Sequence, residues 1–241
     1  MSVIISIIIP CYNEGQIFEK NVNEIVNTLG MLKMNWEIIF VEDKSTDKTK
    51  DSVERLTKRI KNSRAIYHKI NQGRGKTVSD GILSSRGKMC GYLDVDLEVS
   101  ASYIPLFIKE LNEGSDIVVA RRFYEGGTFN AFIRFLASKV YALSVKMILG
   151  APIDDTEAGY KFFRRDAILP IIKKVKNKHW FWDTEICVRS YLAGLVIAQI
   201  PVLFIRKNDK KSTVRIIPDT IDYIKNLVRF KFELTFQKKD R

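Results

Sequence analysis

Apolar runs alternate with segments of helical periodicity along the first half of the chain. Val3–Ile9, Trp36–Val41 and Met89–Leu93 are mostly apolar. The first stops at Pro10, and the other two are followed by the acids Glu42 and Asp94. Continuous apolar runs of this length are typical of parallel strands that are covered on both faces. Two shorter strands are predicted at Arg64–His68 and Asp116–Ala120.

The intervening segments place apolar residues three and four positions apart, the spacing of one helix face. Helices are predicted at Phe18–Leu32, from the cap residues Ser45–Thr49 to about Asn62, at Lys76–Ser84 and at Ile104–Leu111. The resulting β-α-β-α order predicts an α/β protein with a doubly wound, mostly parallel sheet.

The second half has a different pattern. It predicts helices at Phe129–Leu149 and Trp180–Leu192 and a strand at Val196–Ile205, followed by a polar loop. The tail Ile217–Phe236 mixes an apolar stripe with basic residues, as interfacial helices do. The stripe consists of Ile217, Ile221, Ile224 and Val228, beside Lys225 and Arg229. We predict one domain over residues 1–213 and an amphipathic extension over 214–241 that binds an anionic membrane surface or packs on the domain.

Charge and cysteine usage narrow the classes of partner. The chain of 241 residues carries a net charge of +12, which indicates an anionic partner. The basic residues are scattered and no helix-turn-helix or zinc signature is present, so nucleic acid is not the expected partner. Three widely spaced cysteines, Cys11, Cys90 and Cys187, fit a reducing, cytosolic setting. No apolar run reaches 18 residues, so no bilayer span is predicted.

An acidic cluster directly follows a buried strand. Asp94, Asp96 and Glu98 are spaced two residues apart at the end of Met89–Leu93. Carboxylates that converge at a strand end can bind a hard divalent cation, which in turn can neutralise a diphosphate. The alternative is a solvated acidic strand end.

Ligands of parallel sheets bind beyond the carboxyl ends of the strands. Other polar residues at these predicted ends are Asn13, Glu14, Glu42, Asp43, Arg121 and Arg122. Acids and arginines are therefore expected along one edge. The segment Gly73-Arg74-Gly75-Lys76 lacks the further glycines of a P-loop or a dinucleotide fingerprint. It predicts a tight turn into a helix, from which Arg74 and Lys76 can face a diphosphate. His68 and His179 match no catalytic or metal pattern and are expected to be structural.

The motifs together resemble the family 2 glycosyltransferases with the nucleotide-sugar-binding GT-A fold. The resemblance rests on Ile9–Glu14, Val41–Asp47, Asn71–Gly75 and Asp94–Asp96, in that order, and extends from residue 3 to about residue 213. Within the family, the chain is most similar to polyprenyl-phosphate sugar synthases of the dolichyl-phosphate mannose synthase type. The narrower similarity rests on Val119–Phe123, Gly126-Gly127, Arg134–Ser138, Asp155–Phe162, Trp182–Glu185, and Arg206 with Lys211-Ser212.

The resemblance implies a role for each matching residue. Pro10, Tyr12, Glu14 and Asp43 would hold the nucleoside, with Glu42 at a position that is usually aspartate. Asp94, Asp96 and Glu98 would hold Mg²⁺ or Mn²⁺ on the diphosphate. Arg122, Arg134, Ser138 and Arg206 would bind the acceptor phosphate or stabilise the leaving diphosphate.

The implied reaction is transfer of a sugar, mannose from GDP-mannose in the first instance, to dolichyl or polyprenyl phosphate with inversion. It would occur at the cytoplasmic face of a membrane, with or without a separate membrane subunit. UDP-glucose is the alternative donor. A saccharide hydroxyl is the alternative acceptor, for which Asp183 or Glu185 would be the base. A non-catalytic nucleotide-sugar-binding subunit is a third interpretation.

Overall fold

The computed structural model describes residues 3–124, 129–206 and 216–239, with side chains described over 3–124, 139–206 and 222–236. Its centre is a seven-stranded sheet. The strands are β1 Ile5–Cys11, β2 Trp36–Glu42, β3 Ser63–Tyr67, β4 Met89–Leu93, β5 Ile117–Tyr124, β6 Tyr160–Arg164 and β7 Ile197–Phe204. They lie in the order β3-β2-β1-β4-β6-β5-β7.

Only β6 runs antiparallel to its two neighbours, β4 and β5; the remaining pairs are parallel. The predicted α/β class and mostly parallel sheet are therefore confirmed. The sequence pattern did not predict β6, because the charged Lys161 interrupts its apolar run. That lysine is fully buried and paired with an aspartate from a distant helix, which periodicity does not reveal.

The helices cover both faces of the sheet. They are α1 Phe18–Gly30, α2 Thr49–Arg59, α3 Arg74–Ser84, α4 Ile104–Asn112, α5 Phe129–Leu149, α6 Arg165–Ile172, α7 Trp182–Leu192 and α8 Ile216–Lys239. One core cluster joins α1, α2 and α4 to residues such as Ile7 and Phe40. A second joins α3, α5, α6, α7 and α8 to residues such as Ile8 and Ile39 on the opposite face. Helix α6 was also not predicted.

The last helix packs on the second core through a different stripe from the one predicted. Leu227 and Phe230 are buried, and Phe230 makes an edge contact with Phe181 of α7. Ile224 and Val228, which belong to the predicted stripe, are 53% and 44% exposed. The side chains of Ile217 and Ile221 lie outside the described ones. The predicted stripe is therefore not the packed one at Ile224 and Val228, and α8 packs through Leu227 and Phe230 instead. Its apolar residues occupy more than one face, and only contacts could select the buried one.

Among the described residues, no helix has both the length and the apolar character needed to cross a bilayer.

Candidate functional site

The carboxyl ends of β1, β2 and β4 meet at one edge of the sheet, since these strands are parallel neighbours. The loops after β1 and β2 are joined by side-chain hydrogen bonds. The Thr46 amide donates to Asn13 Oδ1 at 2.8 Å, and the Glu14 amide donates to Thr49 Oγ1 at 2.8 Å. Asn13 has a φ of 53°, a left-handed conformation that asparagine tolerates better than most residues. The two loops therefore form one continuous rim.

Glu42 and Asp43, both predicted to contact the nucleoside, are buried and shape the neighbouring loops. The Ser45 amide donates to Glu42 Oε1 at 2.6 Å. Asp43 accepts from the amides of Gln72 and Gly73 at 2.8 and 2.9 Å. The longer Glu42 thus closes its own turn, and Asp43 ties this rim to the turn that begins α3.

His68, which was expected to be structural, orients Asp43. Its Nδ1 lies 2.6 Å from Asp43 Oδ1 and its Nε2 lies 3.1 Å from Asp80 Oδ2. The ring is buried between the two carboxylates. Sequence reasoning missed this role because residues 43, 68 and 80 meet only in the folded chain.

The acidic cluster forms a turn at the end of β4. Asp94 is 40% exposed, and the Glu98 amide donates to Asp96 Oδ1 at 3.2 Å. Leu97 between them has a φ of 52°. On the far side, the Ile205 amide donates to the Glu98 carbonyl at 2.8 Å. This bond places the exposed Arg206, predicted to bind phosphate, next to the acidic turn.

Among the described residues, no three His, Cys, Asp or Glu side chains converge on one point as a metal cage would. The three predicted ligands are therefore not a closed protein site. The exposed carboxylate of Asp94 and that of Asp96 nevertheless fit the way Mg²⁺ is usually bound, through one or two carboxylates plus substrate phosphates.

A buried network of charges lies beneath the turn. The Arg74 guanidinium donates to Asp94 on one side and to Asp183 on the other. Asp183 also accepts from Lys161 Nζ at 2.6 Å and from the hydroxyl of Tyr92. Burial raises the pKa of Asp183, but the positive charges of Arg74 and Lys161 outweigh it and hold the pKa below its ordinary value. Asp183 is therefore ionised and fully paired.

The two acids considered as bases for a hydroxyl acceptor are both sequestered. Asp183 and Glu185 are each 2% exposed. Glu185 accepts from the amides of Lys176 and Asn177 at 3.0 and 2.8 Å and from Arg189 Nε at 2.7 Å. Neither carboxylate is open to a substrate, so the structure gives no support to either as a base.

Arg122 at the end of β5 is paired with an acid of its own. Its guanidinium donates to both carboxylate oxygens of Asp155, at 2.7 and 2.9 Å, and its side chain is 15% exposed. A planar fork bound in this way has little remaining capacity for a phosphate. The other predicted phosphate residues, Arg134 and Ser138, have side chains outside the described ones. Gly126-Gly127 and Lys211-Ser212 lie outside the described residues altogether.

Glu157, to which the sequence analysis gave no role, precedes β6 and has a carboxyl pKa far from its ordinary value. It is half-buried and makes no hydrogen bond or ion pair with the described residues. Burial is the main cause that raises the pKa of Glu157 to about 7. The positive charges of Arg122 and Lys161 lower this pKa, and the negative charges of Asp155 and Asp183 raise it.

Glu157→Gln is expected to raise the free energy of unfolding by about 3 kcal/mol at pH 8 and by less than about 1 kcal/mol at pH 5. The folded pKa lies above the ordinary value of 4.5. The folded protein therefore holds an extra proton between these values, and stability falls as the pH rises through them. Urea unfolding at both pH values measures the difference, with the exposed Glu113→Gln as control. Parallel pH profiles for wild type and Glu157→Gln would contradict it.

Solved structures with a similar fold bind nucleotide sugars. Glucosyl-3-phosphoglycerate synthase from Mycobacterium tuberculosis, in complex with Mn²⁺, UDP and glucosyl-3-phosphoglycerate, superimposes with a TM-score of 0.70 at 17% identity. The alignment covers 94% of this chain and 79% of that one. The predicted GT-A fold is thereby confirmed.

Sequence comparison agrees with this fold. Glycosyltransferase AglD from Haloferax volcanii is 27% identical over 98% of this chain and 38% of its own length. Dolichyl-phosphate beta-glucosyltransferase ALG5A from Trichomonas vaginalis is 29% identical over 83% of this chain. The chain spans 65% of the length of that relative. The family model for glycosyl transferase family 2 matches residues 6–171. This chain therefore belongs to glycosyl transferase family 2.

Proposed function

We propose that this enzyme transfers glucose from UDP-glucose to a polyprenyl phosphate of the dolichyl type, with inversion and with a divalent cation. The observation that carries the proposal is the edge of the sheet at which the acidic turn of Asp94 and Asp96 adjoins Arg206. Relatives from Trichomonas vaginalis and Dictyostelium discoideum are named dolichyl-phosphate beta-glucosyltransferases. They favour the glucose alternative and lend no support to mannose from GDP-mannose.

The donor nucleoside would lie along the rim formed by the loops after β1 and β2. Tyr12 is 41% exposed there and offers a ring face to the base. Glu14 Oε1 accepts from the Tyr12 amide at 3.1 Å and steadies this loop. Glu42 and Asp43 would act by holding the loops in place. Pro10 is buried at the end of β1 and supports the rim from beneath.

Asp94 and Asp96 would hold Mg²⁺ or Mn²⁺, with Glu98 completing the acidic turn. When bound, the cation neutralises charge on the diphosphate as it leaves. Arg206 is exposed beside the turn and would contact the acceptor phosphate or the diphosphate, for which a planar guanidinium is well suited. Arg134 and Ser138, four residues apart on one helix face, would bind the acceptor phosphate. Arg122, whose guanidinium is already bound by both oxygens of Asp155, is given no phosphate contact in this proposal.

A phosphate acceptor suits this site chemically. It is already anionic at neutral pH, so it needs positioning more than deprotonation. The burial of Asp183 and Glu185 removes the two bases that a saccharide hydroxyl would have used. Relatives named for a dolichyl-phosphate acceptor add support for the phosphate.

The acceptor lipid would be met at a membrane surface. Helices α5 and α8 pack together through Tyr141 and Tyr223, with ring centroids 5.1 Å apart. Their exposed apolar residues are Val140, Leu143, Met147, Ile224, Val228, Phe232 and Phe236. Exposed Lys225, Arg229 and Lys231 accompany them. Apolar residues flanked by basic ones suit peripheral binding to an anionic leaflet, on the cytoplasmic side in this proposal.

Transfer in vesicles tests the proposal. Purified protein with Mn²⁺ and vesicles containing anionic lipid and polyprenyl phosphate should form a glucosyl lipid from UDP-glucose. GDP-mannose should yield no more product than a blank, and vesicles without polyprenyl phosphate should yield none. Formation of a mannosyl lipid, or glucose transfer that does not depend on the lipid phosphate, would overturn the proposal.

A further inference from the structure

Arg74 joins the acidic turn to the buried charge network. Its Nη2 and Nε lie 2.7 and 3.2 Å from Asp94 Oδ1, and its Nη1 donates to Asp183. The side chain is only 12% exposed. Its guanidinium lies 5.4 Å from the ring centroid of Tyr92 and 5.2 Å from that of Trp180. Arg74 therefore has one well-determined position, and it fixes one oxygen of the Asp94 carboxylate.

Gly159 limits Asp94 from the other side. A Cβ built on Gly159 would overlap Asp94 Oδ2 and come within 2.6 Å of Arg74 Nη2. The main chains are also joined, because the Asp94 amide donates to the Gly159 carbonyl at 3.0 Å. Gly159 has no positive φ in this structure, so the constraint is one of space. Any side chain at this position would displace the carboxylate or the guanidinium.

The main chain on both sides of Arg74 is also held by hydrogen bonds. Gly73 directly before it has a φ of 91° and donates its amide to Asp43, while the Lys76 amide donates to the Lys178 carbonyl at 3.1 Å. The backbone that carries Arg74 is thus attached both to the rim and to the segment before α7. These main-chain hydrogen bonds do not involve the Arg74 side chain.

We propose that Arg74 and Gly159 form a clamp that orients the Asp94 carboxylate toward the divalent cation and the diphosphate. Arg74 is a positioning residue in this arrangement. The inference rests on the proposed function, because it takes Asp94 as a ligand of the donor site. It gives Arg74 a role different from the diphosphate contact predicted from the sequence, and it adds Gly159.

If Arg74 is replaced by an uncharged residue, an orienting role and simple electrostatics predict opposite changes in cation affinity. Loss of a positive charge near a cation site strengthens cation binding by Coulomb's law. Loss of an orienting partner of a metal ligand weakens binding, typically by about 10- to 100-fold. The sign of the change therefore separates the clamp from a mere counter-ion.

The test measures Mn²⁺ affinity in the presence of UDP by the electron paramagnetic resonance signal of free Mn²⁺. Arg74→Met is expected to weaken binding by about 10- to 100-fold. Arg74→Lys, which keeps the charge but lacks the planar guanidinium fork, should weaken it less. Gly159→Ala changes no charge and should also weaken it. Gly30→Ala, with nothing within 4 Å of the added Cβ, is the matched control and should bind as wild type does.

Thermal unfolding without metal shows whether each variant is folded. If Arg74→Met does not fold, the Mn²⁺ affinities of Arg74→Lys and Gly159→Ala test the clamp. Equal or tighter Mn²⁺ binding by the Arg74 variants, or wild-type binding by Gly159→Ala, would overturn the clamp. So would a wild-type protein that does not bind Mn²⁺ with UDP. A wild type that binds both but fails in the vesicle assay would instead refute the acceptor assignment and leave the clamp intact.

Discussion

Asp96→Ala is expected to lower glucose transfer by at least about 100-fold while the protein remains folded. Asp96 lies in the turn after β4, outside the two hydrophobic cores, so its removal opens no cavity. The loss arises because the cation can no longer be held against the diphosphate in the transition state. Initial rates with saturating Mn²⁺ measure the effect, and thermal unfolding confirms that the variant is folded.

The controls for Asp96→Ala separate metal loss from general damage. EDTA should abolish wild-type transfer and added Mn²⁺ should restore it, whereas Mn²⁺ should not restore Asp96→Ala. Asp166→Ala removes a fully exposed acid of α6 and should leave the rate unchanged. Full wild-type turnover in metal-free buffer would refute the role of the cation.

Lys161→Met is expected to lower the free energy of unfolding by about 3–5 kcal/mol. The ammonium of Lys161 is completely buried and lies 2.6 Å from Asp183 Oδ1 and 3.0 Å from the Tyr92 hydroxyl. Its removal leaves one oxygen of a buried carboxylate without its cation, and the desolvation of that charge is then only partly offset. Urea unfolding at pH 7 gives the difference.

Two comparison variants make the Lys161 result specific. Lys161→Met/Asp183→Asn, which also neutralises the acid, should recover part of the lost stability. Lys50→Met breaks an exposed pair with Glu54, whose atoms are 4.0 Å apart, and should cost no more than about 0.5 kcal/mol. A loss below about 1 kcal/mol for Lys161→Met would mean that Asp183 is adequately held without the lysine.

The predicted edge of acids and arginines followed from strand order alone. Met89–Leu93 was predicted to the residue, because a short apolar run that ends in Asp94 has few other interpretations. Once β1, β2 and β4 are parallel, their carboxyl ends must lie at the same edge. The acidic turn and the rim could thus be placed together without coordinates, whereas Arg206 was assigned only through the family resemblance.

The pairing of charges could not be predicted in the same way. The sequence predicted the same phosphate-binding role for Arg122 and Arg206. In the structure Arg122 forms an ion pair with Asp155, whereas Arg206 is exposed. Partners such as Arg74 and Asp183 are separated by 109 residues, and no local pattern connects them. The buried face of α8 could not be predicted either. The helix has apolar residues on two faces, and the contact with Phe181 shows that the face with Phe230 is the buried one.

The sequence by itself determined the α/β class and the edge at which the acidic turn lies, because these depend on local periodicity and on the order of strands. Its motifs determined the family. Only the tertiary structure decided which carboxylates are ligand-like and which are internal counter-ions. That distinction depends on burial and on distances between residues far apart in the chain. Asp94 and Asp183 are both bound by Arg74, but one is 40% exposed and the other 2%. The desolvation cost of a buried charge requires Asp183 to remain paired, and solvent access leaves Asp94 able to meet a cation.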